Sequence, residues 1–239
     1  MRRMITPSTL KQTLACPPSA VLSRHAEFTQ NLQAINGDIL HRTAERCLKG
    51  ETQKTCEDIG YTYKNLSLTR AGARQMQAFC DDMTRLRGRM WVEQKMDMSR
   101  AFGLPAGSSV GKIDVTIWTP DETVHIVDLK TGTHKQNPAP GGNAWSQCAT
   151  YGVAAMQRFK WALPIKRYRL AIWQNGKETE HIAAPSDLDR WRIQVTNVAA
   201  HVYAMAEAYD KGEGIARQNF KPSIDNCRFC NAVNCDYRT

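Results

Sequence analysis

The sequence predicts a single α/β domain built around a mostly mixed β-sheet. The hydrophobic patterns follow the order α, β-β-β, α, β-β, α along the chain. Their period changes from helical to alternating at Arg89, where the first strand of the sheet is expected. With 239 residues, 42% hydrophobic and 23% charged, the chain is long enough for one globular domain with a sizeable core.

Helical signals precede the sheet. The stretch TPSTLKQTLACPPSAVL begins with Ser and Thr at a helix N-cap position and is expected to stop at Pro17-Pro18. INGDILHRTAERCLKG carries its leucines on one stripe and ends at Gly50. LTRAGARQMQAFCDDMTRLRG predicts a third helix, capped by Thr69.

Alternating patterns then predict the strands RMWVEQKMDM, VGKIDVTIW and TVHIVDLKT, the last two joined at residues 120–122. A loop rich in Pro and Gly leads to the helix AWSQCATYGVAAMQRFKW. KRYRLAIWQ and TEHIA predict a second hairpin around the turn NGKE. A long final helix is expected between a cap at Ser186 and Gly212.

The charge and the lack of long apolar stretches narrow the function classes. A net charge of +9, with a pI near 9.2, fits a polyanionic partner such as nucleic acid, although it also fits a merely basic soluble protein. The N-terminal stretch MRRMITPSTL has no apolar core for a secretory signal. No stretch approaches the roughly 20 apolar residues of a membrane span. We therefore expect a cytoplasmic protein with no membrane contact.

The strand VHIVDLK carries an acid and a lysine, Asp128 and Lys130, where its apolar pattern predicts burial. With a three-residue loop at 120–122, the numbers of each cross-strand pair sum to 242, so Asp114 falls opposite Asp128 on one face. A loop one residue longer would send the two acids to opposite faces. Adjacent buried carboxylates repel unless a cation lies between them, and oxygen ligands favour Mg²⁺ or Mn²⁺. The alternative is a structural Asp–Lys ion pair at a sheet end.

Four motifs in order make the sequence resemble the PD-(D/E)XK nuclease superfamily, in its RecB-like branch. They are GDILH, GKID, DLKTG and QCATY. The resemblance implies a central mixed sheet flanked by helices, with Mg²⁺ or Mn²⁺ held by His41, Asp114, Asp128 and the Leu129 carbonyl. It further implies that Lys130 orients the attacking water, that Gln147 and Tyr151 touch the active site or the DNA backbone, and that Glu93 lies in a second shell around the metal. The alternatives are that His41 is an ordinary partly buried histidine on a helix and that Gln147 and Tyr151 are ordinary residues of a helix surface.

Three cysteines crowd into the tail CRFCNAVNC with the spacing C-x₂-C-x₄-C. A closed site needs a fourth ligand, for which Cys16 in ACPPS is the best candidate. Some RecB-like nucleases, including AddB and CRISPR-associated spacer-acquisition nucleases, hold a 4Fe-4S cluster with one cysteine before the core and three after it. The resemblance therefore implies such a cluster on Cys16, Cys227, Cys230 and Cys235, with structural Zn²⁺ as the alternative. The remaining thiols are expected to be structural: Cys47, Cys56, Cys80 and Cys148.

The resemblance spans residues 1–239 as one RecB-like nuclease domain, with a core at about 32–212 and cluster-forming ends at 8–20 and 220–239. It implies an exonuclease on the ends of linear duplex or single-stranded DNA, in phage or prophage recombination or DNA processing. A single-strand annealing or recombination protein is a candidate partner. The alternatives are a non-catalytic DNA-end binding or recombination accessory module, and a ribonuclease.

Basic and aromatic side chains are candidates for DNA contact. Trp145 and Tyr151 are candidates to stack on an unpaired base, although core packing is the commoner role of tryptophan. The basic candidates occur in RLRGR and KRYR, where a solvated charged face is the alternative. They are Arg85, Arg87, Arg89, Lys166, Arg167 and Arg169.

Overall fold

The computed structural model describes residues 4–26, 30–228, 230–232 and 235–237, so part of the predicted cluster-forming tail lies outside the described residues. The helices are α1 (Leu10–Ala15), α2 (Pro17–Leu22), α3 (Leu32–Leu48), α4 (Arg70–Arg85), α5 (Trp145–Phe159), α6 (Pro185–Asp210) and α7 (Ile224–Cys227). The strands are β1 (Thr62–Tyr63), β2 (Leu66–Ser67), β3 (Arg89–Asp97), β4 (Val110–Trp118), β5 (Thr123–Lys130), β6 (Arg167–Gln174) and β7 (Lys177–Ala183).

The central sheet has five strands in the order β3-β4-β5-β6-β7. All neighbouring pairs are antiparallel except β5 and β6, which run parallel with α5 as the crossover between them. The predicted mixed sheet and the order of its elements are therefore confirmed. The short β1–β2 hairpin was not predicted, because two-residue strands give too little alternation to recognise.

The predicted register of the β4–β5 hairpin is also confirmed. The ladder pairs Trp118 with Val124 and continues without a break to Val115 and Val127, so each pair sums to 242. Glu122 closes the three-residue loop with a φ of +63°, the left-handed conformation that such loops require at their last position. The ladder ends there, one step before Asp114 and Asp128.

Apolar side chains on the two faces of the sheet form two separate cores. On one face, α5 and α6 pack with α1 and α2 around residues such as Ile126, Leu170 and Val195. On the other face, α3 and α4 cover a smaller core that includes the fully buried Trp173. Asp114 and Asp128 therefore lie in a sheet that helices cover on both faces. Within the described ranges, no helix is long and apolar enough to cross a membrane.

Two details of helix termini differ from the sequence prediction. The first helix does stop before the prolines, but a second helix begins at Pro17, because a proline at the first helical position loses no hydrogen bond. The long helix α6 is capped at Ala184 rather than at Ser186. Pro185 occupies its first turn, and Asp187 accepts a 2.9 Å hydrogen bond from the Ala184 N–H.

His125 gives the fold a pH-dependent stability. Its imidazole is buried beside Thr119, whose hydroxyl oxygen lies 3.1 Å from Nε2. Burial, reinforced by the positive charges of Arg169 and Arg167 and opposed by the nearby acids, lowers the pKa of His125 to about 4. Because this pKa lies below that of the unfolded chain, about 6.5, the contribution is complete above pH 6.5 and is lost as the pH falls towards 4.

We therefore expect a His125→Gln variant to lose less unfolding free energy than the wild type between pH 6.5 and pH 4. Glutamine keeps a partner for Thr119 but does not titrate. Denaturant unfolding over a pH series measures the unfolding free energy of both proteins. The contribution of the carboxylates is the same in both and cancels in the difference between the two curves. Parallel curves for the two proteins would contradict this explanation.

Candidate active site

The site forms where the hydrogen-bonded pairing of β4 and β5 ends. The regular ladder ends at Val115 and Val127, although both strands continue beyond that pair. In the continued register, the Leu129 N–H would donate to the backbone of Ile113. Instead it donates to the Asp114 carboxylate at 2.7 Å. A side-chain oxygen thus replaces a backbone carbonyl, and the strands open without leaving a buried N–H unsatisfied.

The neighbouring strand β3 is distorted at the same level. Val92 pairs with Val115 and Gln94 with Ile113, so Glu93 lies opposite Asp114 in an unchanged register. Glu93 has a φ of +54°, which costs about 1–3 kcal/mol for a residue other than glycine. The side-chain alternation also slips here, because Ile113 and Val115 are two residues apart but pack in different cores.

This distortion brings Glu93 and Asp114 to His41 on α3. The His41 Nδ1 atom lies 3.3 Å from an Asp114 oxygen and 3.7 Å from a Glu93 oxygen. Lys112 pairs with the other oxygen of Glu93. One ligand atom from each of His41, Glu93 and Asp114 lies within 4.8 Å of the other two, and no other such group of three occurs in the described part of the chain.

A second group of side chains surrounds Asp128 at the end of β5. Lys130 Nζ lies 2.6 Å from one Asp128 oxygen and donates to the Gln147 amide oxygen at 3.0 Å. The Gln147 amide nitrogen donates to the other Asp128 oxygen at 3.0 Å and reaches the Tyr151 hydroxyl at 3.4 Å. Gln147 and Tyr151 lie one turn apart on α5, and together they fix Asp128 and Lys130 in one orientation.

Burial and charge act against each other throughout this site. Burial alone would lower the pKa of His41, but the carboxylates of Asp114 and Glu93 outweigh it and raise that pKa to about 10. Burial raises the pKa of Asp128 to about 6, against the pull of Lys130. For Asp114, the charge and hydrogen bond of His41 overcome burial and lower the pKa. Such opposed shifts within one group of residues are characteristic of functional sites.

The six basic residues predicted to contact DNA lie elsewhere. Arg167 pairs with the start of β5 and Gln174 with its end at Lys130, about 23 Å away at 3.3 Å per residue. Several of the six have acidic partners: Arg85 with Asp82, Lys166 with Glu122, Arg167 with Asp121, and Arg169 with Glu178 and Glu180. Arg89 lies over the ring of Trp91, and Arg87 is exposed with a φ of +25°. Their contact with DNA stays a prediction.

The two aromatic candidates for base stacking are covered by protein. Tyr151 on α5 is buried, and its ring lies close to Gly111 on β4. Trp145 packs edge-on against Trp191 and His181. Tyr151 therefore has little surface left for a base, whereas Trp145 is half-buried. Stacking of either ring on a base stays a prediction.

The four cysteines at the chain ends meet although up to 219 positions separate them. Cys16, between α1 and α2, lines a small cavity of about 20 Å³ together with Cys227, Cys230 and Cys235. Gln12 on α1 donates to the Asn226 carbonyl at 2.7 Å and so ties the two chain ends together. The Ala232 N–H donates to the Cys230 sulfur at 3.4 Å. Of the other thiols, Cys80 and Cys148 are buried, Cys47 is half-buried and Cys56 is exposed.

The family model of the PD-(D/E)XK nuclease superfamily matches residues 4–235, which is nearly the whole chain. The chain belongs to this superfamily. Membership implies a nuclease. No curated protein matches the chain. Among solved structures, the crystal structure of a protein named SSO0001 aligns over 96% of this chain and 97% of its own, with 11% sequence identity and a TM-score of 0.39.

The donor set at His41 fits the divalent metal that nucleases of this superfamily usually use. It offers one imidazole nitrogen and two carboxylates, which suits Mn²⁺ and also allows Mg²⁺. Asp128 is not part of this close group, and its two oxygens contact Lys130 and Gln147. Metal binding by Asp128 and by the Leu129 carbonyl stays a prediction. Sequence reasoning gave Glu93 only an indirect role, because an acid within a strand carries no sign of the backbone distortion that turns it towards His41.

We expect a Glu93→Gln substitution to weaken Mn²⁺ binding by about 10- to 100-fold, because it removes one of the two carboxylate charges that converge beside His41. Lys112→Ala should act in the opposite direction and tighten binding, since Lys112 competes with the metal for Glu93. Isothermal titration calorimetry with Mn²⁺ measures both. Glu51→Gln removes an exposed acid elsewhere and serves as the control. Wild-type affinity in Glu93→Gln would place the metal away from this group.

Proposed function

We propose that this nuclease is a Mg²⁺- or Mn²⁺-dependent deoxyribonuclease that degrades linear DNA from its ends. The observation that carries the proposal is the meeting of two groups where β4 and β5 part: His41 with Glu93 and Asp114, and Asp128 with Lys130 and Gln147. A metal-ligand group beside a fixed lysine is the equipment for hydrolysis of a phosphodiester.

Each group has a distinct task in the proposed reaction. His41, Glu93 and Asp114 would hold the metal, which when bound supplies positive charge for the phosphate and favours ionisation of a water. The half-buried Lys130 is protonated, because against the effect of burial the carboxylates of Asp128 and Asp114 raise its pKa. Its ammonium can hold the attacking water and stabilise negative charge that develops on the phosphate. Gln147 positions Lys130 by accepting its hydrogen bond.

Cleavage of end-labelled linear DNA, single- and double-stranded, tests the proposal, with closed circles and RNA of the same sequence beside it. We expect linear DNA to be degraded in Mg²⁺ or Mn²⁺ and circles to survive. Lys130→Ala should lower the rate at least about 100-fold. Lys211→Gln, which removes an exposed lysine just after α6, should leave it unchanged.

The other outcomes decide between the remaining candidates. Cleavage of RNA in preference to DNA would make the protein a ribonuclease. DNA binding without cleavage in either metal would support a recombination accessory module. Cutting of closed circles would contradict the exonuclease assignment while leaving metal-dependent hydrolysis in place.

We also propose that the four converging cysteines hold a 4Fe-4S cluster. The support for the proposal is that one cysteine before the core and three after it line the same cavity. Structural zinc is the alternative metal for such a set. The N–H donated to Cys230 is the kind of contact that tunes cluster thiolates.

Protein purified without oxygen should then be brown and contain about four iron and four sulfide per chain. Cys230→Ser should remove the colour and most of the iron, whereas Cys56→Ser should keep both because Cys56 is exposed outside the cavity. Metal analysis and visible absorption provide the measurement. Colourless protein with one zinc per chain would overturn the assignment in favour of a structural zinc site.

A further inference from the structure

An open groove of about 610 Å³ lies beside the edge strand β3, outside the site described above. Its walls are the end of β3, the short turn of helix at Arg100–Phe102, and the C-terminal half of α5. Four basic side chains line it: Lys95, Arg100, Arg158 and Lys160. Asp114, Asp128 and the C-terminal cysteines do not line this groove. The six basic residues that the sequence predicts to contact DNA do not line it either.

The groove carries a net positive charge, because four cations and one acid line it. Asp97 is the acidic residue in the lining, and its two oxygens accept 2.9 Å hydrogen bonds from the backbone N–H groups of Ser99 and Gly107. None of the four cations takes part in a salt bridge with any residue that the structure describes. The surface is therefore suited to an anionic ligand.

Trp161 stands in this groove with 87% of its surface exposed. It follows the end of α5, and the Lys160 ammonium lies 5.0 Å from its ring centroid. Exposed tryptophan is costly in water and usually packs in a core or an interface. An aromatic face set among cations is how proteins bind unpaired nucleotides, with the ring stacked on a base and the cations on phosphates.

The groove is in line with the proposed active site along one face of α5. Gln147, Tyr151, Ala154 and Arg158 follow one another at helical spacings of four, three and four residues, so they share a stripe. Gln147 contacts Lys130 and Asp128, whereas Ala154 and Arg158 line the groove. Eleven residues of helix span about 17 Å. That distance equals about five nucleotides at the spacing of a duplex strand, and fewer for an extended strand.

We propose that this groove binds the single-stranded part of the nucleic-acid substrate, with Trp161 stacked on a base and the four cations along the phosphates. The inference rests on the proposed nuclease function and adds to it an unpaired substrate strand and the place where that strand lies. A duplex offers no free base face to Trp161 except at its end, so the groove should prefer single strands. An acidic peptide would use the charges but not the stacking.

Binding of labelled single-stranded oligonucleotides, followed by fluorescence anisotropy in a Lys130→Ala background without cleavage, tests the proposal. Trp161→Ala should weaken the Kd by about 5- to 150-fold, the range expected for one stacked base. Trp161→Phe should recover most of the loss, because phenylalanine keeps an aromatic face. Lys211→Gln, which removes an exposed charge outside the groove, should bind as the parent does.

The salt dependence of oligonucleotide binding and the intrinsic fluorescence of the protein distinguish direct contact from a purely structural role of Lys160 and Trp161. Lys160→Gln should reduce the slope of log Kd against log salt by about 0.7, the value for one single-strand phosphate contact. Single-stranded oligonucleotide should quench the fluorescence of the Lys130→Ala protein, and Trp161→Phe should remove most of that quenching.

Unchanged affinity in Trp161→Ala, or an equal loss of affinity for blunt duplex and for single strand, would overturn the proposal. Tighter binding of a polyglutamate peptide than of the oligonucleotide would do the same.

Cleavage by the wild-type protein separates this inference from the function on which it rests. If the wild type degrades DNA but Trp161→Ala binds single strands normally, only the groove assignment fails. If the wild type cleaves no nucleic acid, the proposed function fails whatever the groove binds.

Discussion

The hydrogen bond from the Leu129 N–H to the Asp114 carboxylate is the interaction on which the site depends. In an unbroken antiparallel sheet this N–H would have a backbone partner, and β4 and β5 would stay together to their ends. Because a side chain satisfies it instead, the strands open while the sheet remains buried on both faces. The opening lets α3 bring His41 in from one side and α5 bring Gln147 in from the other.

The buried acids are tolerated because each has a positive partner. The negative groups are Glu93, Asp114 and Asp128, and they face Lys112, His41 and Lys130, respectively. Removing one member of such a set would leave an uncompensated buried charge, which is more costly than never having placed the pair there. The strained backbone of Glu93 adds a further cost at the same place. A fold that retains both costs at one point is using that point for something other than stability.

The sequence was sufficient where a short-range rule decides the structure. The three-residue loop at 120–122 fixed the hairpin register from Trp118–Val124 to Val115–Val127, so the position of Asp114 beside the end of β5 could be predicted from strand pairing. The meeting of Cys16 with the C-terminal cysteines was expected from the family resemblance and not from any spacing rule. The turn of Glu93 towards His41 could not be predicted, because it depends on a left-handed φ inside an otherwise regular strand. Neither could the exposure of Trp161, since an exposed and a buried tryptophan look alike in sequence.

Diffraction from crystals of the protein soaked in Mn²⁺, recorded at a wavelength where manganese scatters anomalously, tests the central claim most directly. The account predicts an anomalous peak between His41, Glu93 and Asp114, at bonding distance from an atom of each, and loss of that peak in crystals of Asp114→Asn. A fully occupied manganese elsewhere, with no peak beside His41, would contradict it. The parting of β4 and β5 would then need an explanation that does not involve a metal.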